Sequence, residues 1–324
     1  MKTLQTNSLI FFPGPKQARG ETFRDLTEKW LAQKEKEVKP STYMHYDFLI
    51  RRHLFPAWEH QDLRTLSNDQ IEQYITLLLA SGRVDGKGGL SATTVCGIAT
   101  VLQSILDFGV QQKSCCVFRV SKPQKTWEIS KKSVLTIEQQ QHLENALYTT
   151  HPFDIGVLLT LHTGLRIGEL CALRWRDIDL THRRILVTAT LQRIPRKGTE
   201  EKTEVVYGLP KTKASLREIP ISPQLLQLLF LVKPAAQDKF FLTSSALPAE
   251  PRRYQYYFEK TLKNCGLPHI NFHILRHTFA TRCIEAGGDP KTVSALLGHQ
   301  TVKTTLDCYV HPTFAQKEKL IQSL

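Results

Sequence analysis

Apolar residues return every three or four positions through most of the first hundred residues, which is the period of amphipathic helices. Phe23, Leu26, Trp30 and Leu31 mark one face of a first helix. Tyr43, Tyr46, Leu49 and Ile50 mark a second, with Ser41 placed to cap it. The stretch from Ser67 to Gly82 predicts a third helix, opened by the Ser67 cap and closed by the glycine. After the turn DGKGG a fourth runs from Ser91 to about Lys113, with Val95, Ile98, Val101, Leu102, Ile105 and Phe108 on its buried side. These elements predict an all-helical N-terminal domain over residues 21–113. Residues 1–20 contain two prolines and two glycines without a period and are expected to form a leader. Residues 114–134 lose the period and carry Arg119, Lys122, Lys125, Lys131 and Lys132 around Pro123, which predicts a flexible basic linker.

From residue 135 onward helices and strands mix. Thr136 caps a helix through TIEQQQHLENAL, and a second runs from about Phe153 to His162. Gly164 breaks it, and Arg166 starts the next. ILVTATL, EVVYG and LREIPIS are short, alternating or β-branched, and predict one small antiparallel sheet. PKTKAS, between the last two, would place Lys211 and Lys213 at a hairpin tip. Helices are expected again at 223–231, 252–264, 272–286 and 289–297, and after Thr301. The fold class expected is mainly α with a small antiparallel β-sheet, as an all-helical N-terminal domain followed by an α+β domain over 135–324. A chain of 324 residues is long enough for both to bury cores.

Charge changes the picture. Forty-three Lys and Arg against thirty Asp and Glu give a net charge of +13, which favours a polyanionic partner, most simply nucleic acid. Lys34, Lys36, Lys39, Arg51, Arg52 and His53 are expected on exposed helix faces, where they can follow a phosphate backbone or merely be solvated. The seven cysteines show no CxxC and no regular spacing, which suits a reduced, cytoplasmic chain. The apolar run Leu9–Phe12 is cut short by Pro13, and no apolar run is read as long enough to span a membrane.

The candidate chemistry gathers in two stretches. In HILRHTFATRCIEAGGDPKTVSALLGHQTVKTTLDCY, His273, Arg276 and His277 share one helix face. His299 follows the Gly298 stop, and Tyr309 lies ten residues further on. In TGLRIGELCALRW, Arg166 sits in an apolar run with Glu169 three residues later. A lone buried charge is costly, so that pair is either a structural ion pair or part of a site.

Taken together these residues resemble the tyrosine recombinase (phage integrase) family. Arg166 in TGLRIGEL resembles the family's first catalytic arginine, with Glu169 its acidic companion. Lys211 in PKTKAS falls in the family's β-hairpin lysine region, with Lys213 the other candidate. His273 and Arg276 fit HxLR, His299 fits LGH, and Tyr309 fits the nucleophile's YxH. The resemblance covers about residues 136–315, and the helical domain before it is similar to the family's core-binding domain.

It implies a site-specific recombinase that cleaves and rejoins double-stranded DNA through a 3′-phosphotyrosyl link, by integration or excision of a mobile element. Arg166 and Arg276 would grip the phosphate as charge develops on it, and His299 would add a hydrogen bond. His273 would assist proton movement at Tyr309, Glu169 would orient Arg166, and Lys211 would protonate the leaving 5′ oxygen. Such chemistry requires no metal, nucleotide or other cofactor. A homotetramer on paired sites is expected, with accessory DNA-bending or directionality factors. The C-terminal segment with Phe314, Leu320, Ile321 and Leu324 is expected to dock on a neighbouring protomer or to fold back on its own domain.

Three rivals stay open at this point. A metal hydrolase can be drawn from His273, His277, His299 and His311, but HILRH lacks the glutamate of HExxH and Arg276 repels a cation. A non-catalytic DNA-binding protein accounts for the charge and leaves Tyr309 idle. A strand-swivelling topoisomerase shares the chemistry without synapsis.

Overall fold

The computed structural model describes residues 21–83, 86–124, 134–195, 203–210, 212–234, 236–309, 318 and 321–322. The chain divides into two compact units, 1–128 and 129–324. The expected leader lies outside the described residues, as do Lys125, Lys131 and Lys132 of the expected linker.

In the first unit, α1 (Phe23–Glu37) opens on a capping box in which Thr22 and Asp25 satisfy each other's backbone N–H groups. α2 (Pro40–Leu49) starts at Pro40 with Lys39 at the cap, so Ser41 lies inside the first turn and does not cap it. Proline at the first helical position already has the helical φ and no N–H to leave unpaired. A π turn, Ile50–Leu54, carries α2 into α3 (Phe55–Trp58). There the Phe55 N–H reaches back five residues to the Ile50 carbonyl, just before Pro56, which has no N–H of its own. α4 (Asn68–Ser81) is opened by the Ser67–Gln70 capping box, and α5 (Ala92–Gln111) by Ser91.

Three expectations for this unit need correction. His53 is buried and not on an exposed face, and its carbonyl accepts the Tyr74 hydroxyl. The stretch 114–124 is not free linker: Phe118 and Val120 lie in the helical core. Its backbone is held by Asn68 Oδ1, which accepts the Arg119 N–H at 3.2 Å, and by Gln103 Oε1, which accepts the Val120 N–H at 2.8 Å. Finally, α5 is by length and composition apolar enough to cross a bilayer. Its buried face packs Val95, Ile98, Leu102 and Ile105 into the core of the unit.

The second unit begins with α6 (Ile137–Ala146), capped by Thr136, then α7 (Pro152–Thr163) and α8 (Ile167–Ala172). Five strands follow: β1 (Ile178–Asp179), β2 (Arg184–Val187), β3 (Thr190–Pro195), β4 (Thr203–Gly208) and β5 (Arg217–Pro220). They make two antiparallel sheets, β1-β2-β5 and β3-β4, in place of the single sheet expected. β2 is buried at Ile185 and Val187, whereas β4 is exposed at Val205, Val206 and Tyr207. The chain therefore breaks after Val187, and β3 leaves the buried layer to pair with β4. As a result PKTKAS is not a hairpin tip. It connects the two sheets, with Lys213–Ser215 in a 3₁₀ turn, and Lys211 lies outside the described residues.

Helices α9 (Pro223–Val232), α10 (Pro251–Asn264), α11 (His273–Glu285), α12 (Pro290–Leu297) and α13 (Val302–Tyr309) complete the unit. Leu159, Ile185, Ile219, Phe241, Tyr254 and Phe258 belong to its main core. A separate cluster of Ala280, Val293, Leu297 and Tyr309 joins α11, α12 and α13. Of the C-terminal segment expected to dock, Phe314, Leu320 and Leu324 lie outside the described residues, and Ile321 is exposed.

Candidate active site

Helices α7 and α12 end alike. Gly164 at φ 67° and Gly298 at φ 64° close them in the left-handed conformation, where any other residue is strained. The last carbonyls of a helix have no partner within it and carry the negative end of its dipole, so they attract cations. Here they attract arginines. At the end of α12 three successive carbonyls each accept from a different guanidinium. Arg217 Nε donates to Leu296 O at 2.6 Å, Arg276 Nη2 to Leu297 O at 2.6 Å, and Arg166 Nη2 to Gly298 O at 3.1 Å. Arg276 Nη1 also reaches the end of α7, donating to Gly164 O at 2.7 Å.

Glu169 ties two of these groups, Arg166 and Arg217, from below. As the third residue of α8 it accepts the backbone N–H of Arg166 at 3.0 Å and its Nη1 at 2.7 Å. Arg217 forks onto the other side of the carboxylate at 2.8 and 3.1 Å. Burial alone would raise the Glu169 carboxyl, but the Arg217 hydrogen bonds and the charges of Arg217 and Arg166 outweigh it and hold it below the usual carboxylate value. Two guanidiniums, Arg166 and Arg217, thus share one carboxylate, while Arg276, only 1% exposed, is held by carbonyls. Burial, followed by the nearby Arg166 charge, pulls Arg276 down to about 9, and the guanidinium keeps its proton at neutral pH. A half-buried excess of positive charge beside spare N–H donors is a seat for an anion.

His299 follows Gly298, and its Nδ1 shares a hydrogen bond of 2.8 Å with Thr305 Oγ1 on α13. Burial and the charges of Arg276, Arg166 and Arg217 lower it to about 4, so the imidazole is neutral at pH 7. The Tyr309 ring lies parallel to it, with centroids 6.4 Å apart. Burial pushes the Tyr309 phenol up to about 12, against the opposing pull of Arg276 and Arg166. Its hydroxyl lies 2.5 Å from Nδ1 of His277, and both residues are buried.

The fold therefore brings Arg166, Glu169, Arg276, His299 and Tyr309 together around the ends of α7 and α12. His273 is on α11 but exposed, its ring edge-on to His277 with centroids 4.6 Å apart. Lys211 cannot be placed, lying outside the described residues. Sequence reasoning passed over Arg217 and Thr305, and it noted His277 without assigning it to the site. Arg217 had a signal: it falls in register with the inward Ile219 of β5, where a charged residue calls for a partner. Among the described residues no three His, Cys, Asp or Glu side chains are grouped to hold a metal ion.

Comparison with known proteins shows the family. Residues 133–316 match the model of the phage integrase family, and residues 22–79 that of the phage integrase N-terminal SAM-like domain. The chain is 28% identical to the ICEBs1 integrase of Bacillus subtilis over 94% of its own length and 82% of that protein's. It is 26% identical to a tyrosine recombinase XerC-like protein of Caldanaerobacter subterraneus subsp. tengcongensis, with the same coverage. Its fold resembles that of the Tn1549 transposon integrase solved with a circular intermediate DNA, with a TM-score of 0.74 and 23% identity over 94% of this chain and 99% of that one. It also resembles the lambda integrase tetramer bound to a Holliday junction, with a TM-score of 0.58 and 18% identity over 90% of this chain and 79% of that one.

Proposed function

Because the chain belongs to the phage integrase family of tyrosine recombinases, we propose that its guanidinium cluster seats the scissile phosphate of double-stranded DNA and that Tyr309 attacks it. The enzyme is a site-specific DNA recombinase serving the integration or excision of a mobile element. One observation carries the assignment: three arginines converge on successive carbonyls of one helix end, two of them sharing a single carboxylate, beside a buried phenol.

In this mechanism Arg166 and Arg276 hold the non-bridging oxygens. Their bonds to Gly164, Leu297 and Gly298 fix them before substrate arrives, so little reorganisation accompanies charge development. Glu169 and Arg217 hold Arg166 in place. His299, neutral before binding, can donate a hydrogen bond from its ring or gain a proton as the phosphate's charge arrives. The Tyr309 oxygen forms the bond to phosphorus, and the 5′ oxygen leaves with its electron pair and takes a proton, which we assign to Lys211. His273, exposed beside the cluster, is assigned to proton transfer at the phosphate. The 3′-phosphotyrosyl link preserves the bond energy for rejoining, so no cofactor enters.

A tetramer on paired sites in the cytoplasm, helped by DNA-bending or directionality factors, is the assembly we propose. The lambda integrase was solved as a tetramer bound to a Holliday junction. The test of the chemistry is a nicked suicide duplex, whose short 5′ strand diffuses away after cleavage. The parent chain should accumulate SDS-resistant protein bound to the 3′ phosphate. Tyr309→Phe should bind the duplex as the parent does and trap nothing, and covalent complex with that variant would refute the assignment.

A further inference from the structure

The hydrogen bond that Tyr309 makes is not to the histidine expected to serve it. His277 lies one turn beyond His273 on α11, its Nδ1 is 2.5 Å from the Tyr309 hydroxyl, and the residues are 7% and 8% exposed. His273 meets the pair through the edge of the His277 ring. A phenol so enclosed has little access to bulk water, so the proton it loses has to pass to a neighbouring side chain. The ring that meets it is fixed by its own helix, while α13 is fixed by the Tyr309 ring in the Ala280, Val293 and Leu297 cluster. The contact is therefore set from both sides.

We propose that His277 is the catalytic proton acceptor for Tyr309, a role that rests on the recombinase reading above. With its ring hydrogen on Nε2, His277 Nδ1 accepts the hydrogen bond from the phenol in the resting enzyme. As the Tyr309 oxygen bonds to phosphorus, its proton moves to Nδ1. The P–O5′ bond breaks, and the 5′ oxygen takes its proton from the acid on the opposite side of the phosphate. On rejoining, the 5′ hydroxyl attacks the phosphotyrosine and gives its proton back to the conjugate base of that acid, the bond to Tyr309 breaks, and His277 returns the proton to the phenolate. No oxidant, metal or further reactant enters. The arginines make the transfer easier, because their charge pulls the phenol down against the burial that raises it. His273 is thereby left to act at the phosphate and not on the nucleophile.

The experiment separates proton transfer from folding. A duplex is first selected from a randomised library by covalent attachment of the parent chain. His277→Ala should slow attachment to that duplex about 100-fold, within the range of a lost general base. His277→Gln, which keeps bulk and a hydrogen-bonding end without basicity, should remain at least about 10-fold slow. Each substitution is then placed in a Tyr309→Phe chain and supplied with a duplex bearing a 3′ p-nitrophenyl phosphate and a 5′-hydroxyl strand. Joining there expels p-nitrophenolate, which leaves without a proton and needs no Tyr309. His277→Ala should join this duplex within about threefold of the chain with His277 intact. Equal loss in both reactions means that His277 is only structural and overturns the proposal, as does an unchanged attachment rate. Selective loss with His273→Ala, and not with His277→Ala, returns the role to His273 and also overturns it. If the parent attaches to no duplex, the recombinase reading itself falls.

Discussion

In the N-terminal unit the largest fully buried side chains are Trp58, Phe23 and Leu26, whereas in the C-terminal unit a guanidinium, Arg276, ranks beside Tyr254 and Phe241. Both units are built of capped helices around aliphatic and aromatic cores. The helical unit places its arginines on the surface, as with Arg51 on Asp47 and Arg64 on Asp62, where ion pairs contribute little. The second unit draws three arginines onto one helix end, and two of them onto one buried carboxylate. Hydrophobic residues of similar volume would often be as stable there. The difference teaches where to look for function: stability accounts for the contents of the first core but not for the second cluster, whose excess positive charge is the feature we assign to the phosphate.

The largest effects should therefore differ in kind between the units. Arg276→Ala should lower covalent attachment by about 1,000-fold, the scale of a lost transition-state donor, on a duplex that the parent cleaves. Trp58→Ala should instead lower stability by about 3–5 kcal/mol, read by denaturant titration, and leave attachment by the remaining folded fraction near parental. If Arg276→Ala mainly unfolds the chain and attaches at parental rate when folded, the comparison collapses.

Arg217→Met is next in size and lies on the boundary. It breaks a pair whose side chains are 5% and 2% exposed, and should cost about 3 kcal/mol because Glu169 loses two of its hydrogen bonds. It should also slow attachment, since Arg166 is held by the same carboxylate. Stability loss without slower attachment would make Arg217 part of the scaffold alone. Gly298→Ala should follow at about 1–2 kcal/mol, from its left-handed φ and from a Cβ only 2.9 Å from the Ala214 carbonyl oxygen. Its counterpart Ser67→Ala, which deletes a capping box in the helical unit, should cost about 1 kcal/mol and leave attachment unchanged.

Acid gives the smallest effect. His299 is lowered to about 4 by burial and by Arg276, Arg166 and Arg217, so the folded form binds fewer protons than the unfolded between roughly its ordinary value of 6.5 and 4. Its contribution is full above that window and is lost as pH falls through it. Burial lowers His53 in the helical unit in the same direction. Moving from pH 7.5 to 6 enters only the top of the window, so the fall in Tm should be slight. His299→Gln should flatten the part due to the second unit, and an unchanged pH slope in that variant would contradict the assignment.

Much of this was legible in the chain itself. Helices α4, α5, α6 and α12 have their caps where Ser67, Ser91, Thr136 and Asp289 stand, because an N-cap is a local interaction that a few neighbouring residues determine. The split into two sheets was not legible, since whether β3 follows β2 or turns away depends on what covers β4, a distant matter. Neither was the docking of 114–124, whose Phe118 and Val120 are too few to set a period. For the site, the motifs grouped Arg166, Arg276, His299 and Tyr309. Carbonyls have no residue type, so the device that aligns the three arginines leaves no trace in the sequence beyond Gly164 and Gly298. His277 was visible as a neighbour of Arg276, but only the placement of α13 shows which histidine the phenol meets.

The most direct test of the central claim is the mass of the peptide that remains attached to DNA after cleavage. A covalent complex trapped on a nicked duplex is digested with protease and nuclease, and the residual nucleotide adduct is located by tandem mass spectrometry. The account predicts one modified peptide, with the nucleotide 3′ phosphate on Tyr309. An adduct on any other residue, or one joined through a 5′ phosphate, would contradict it.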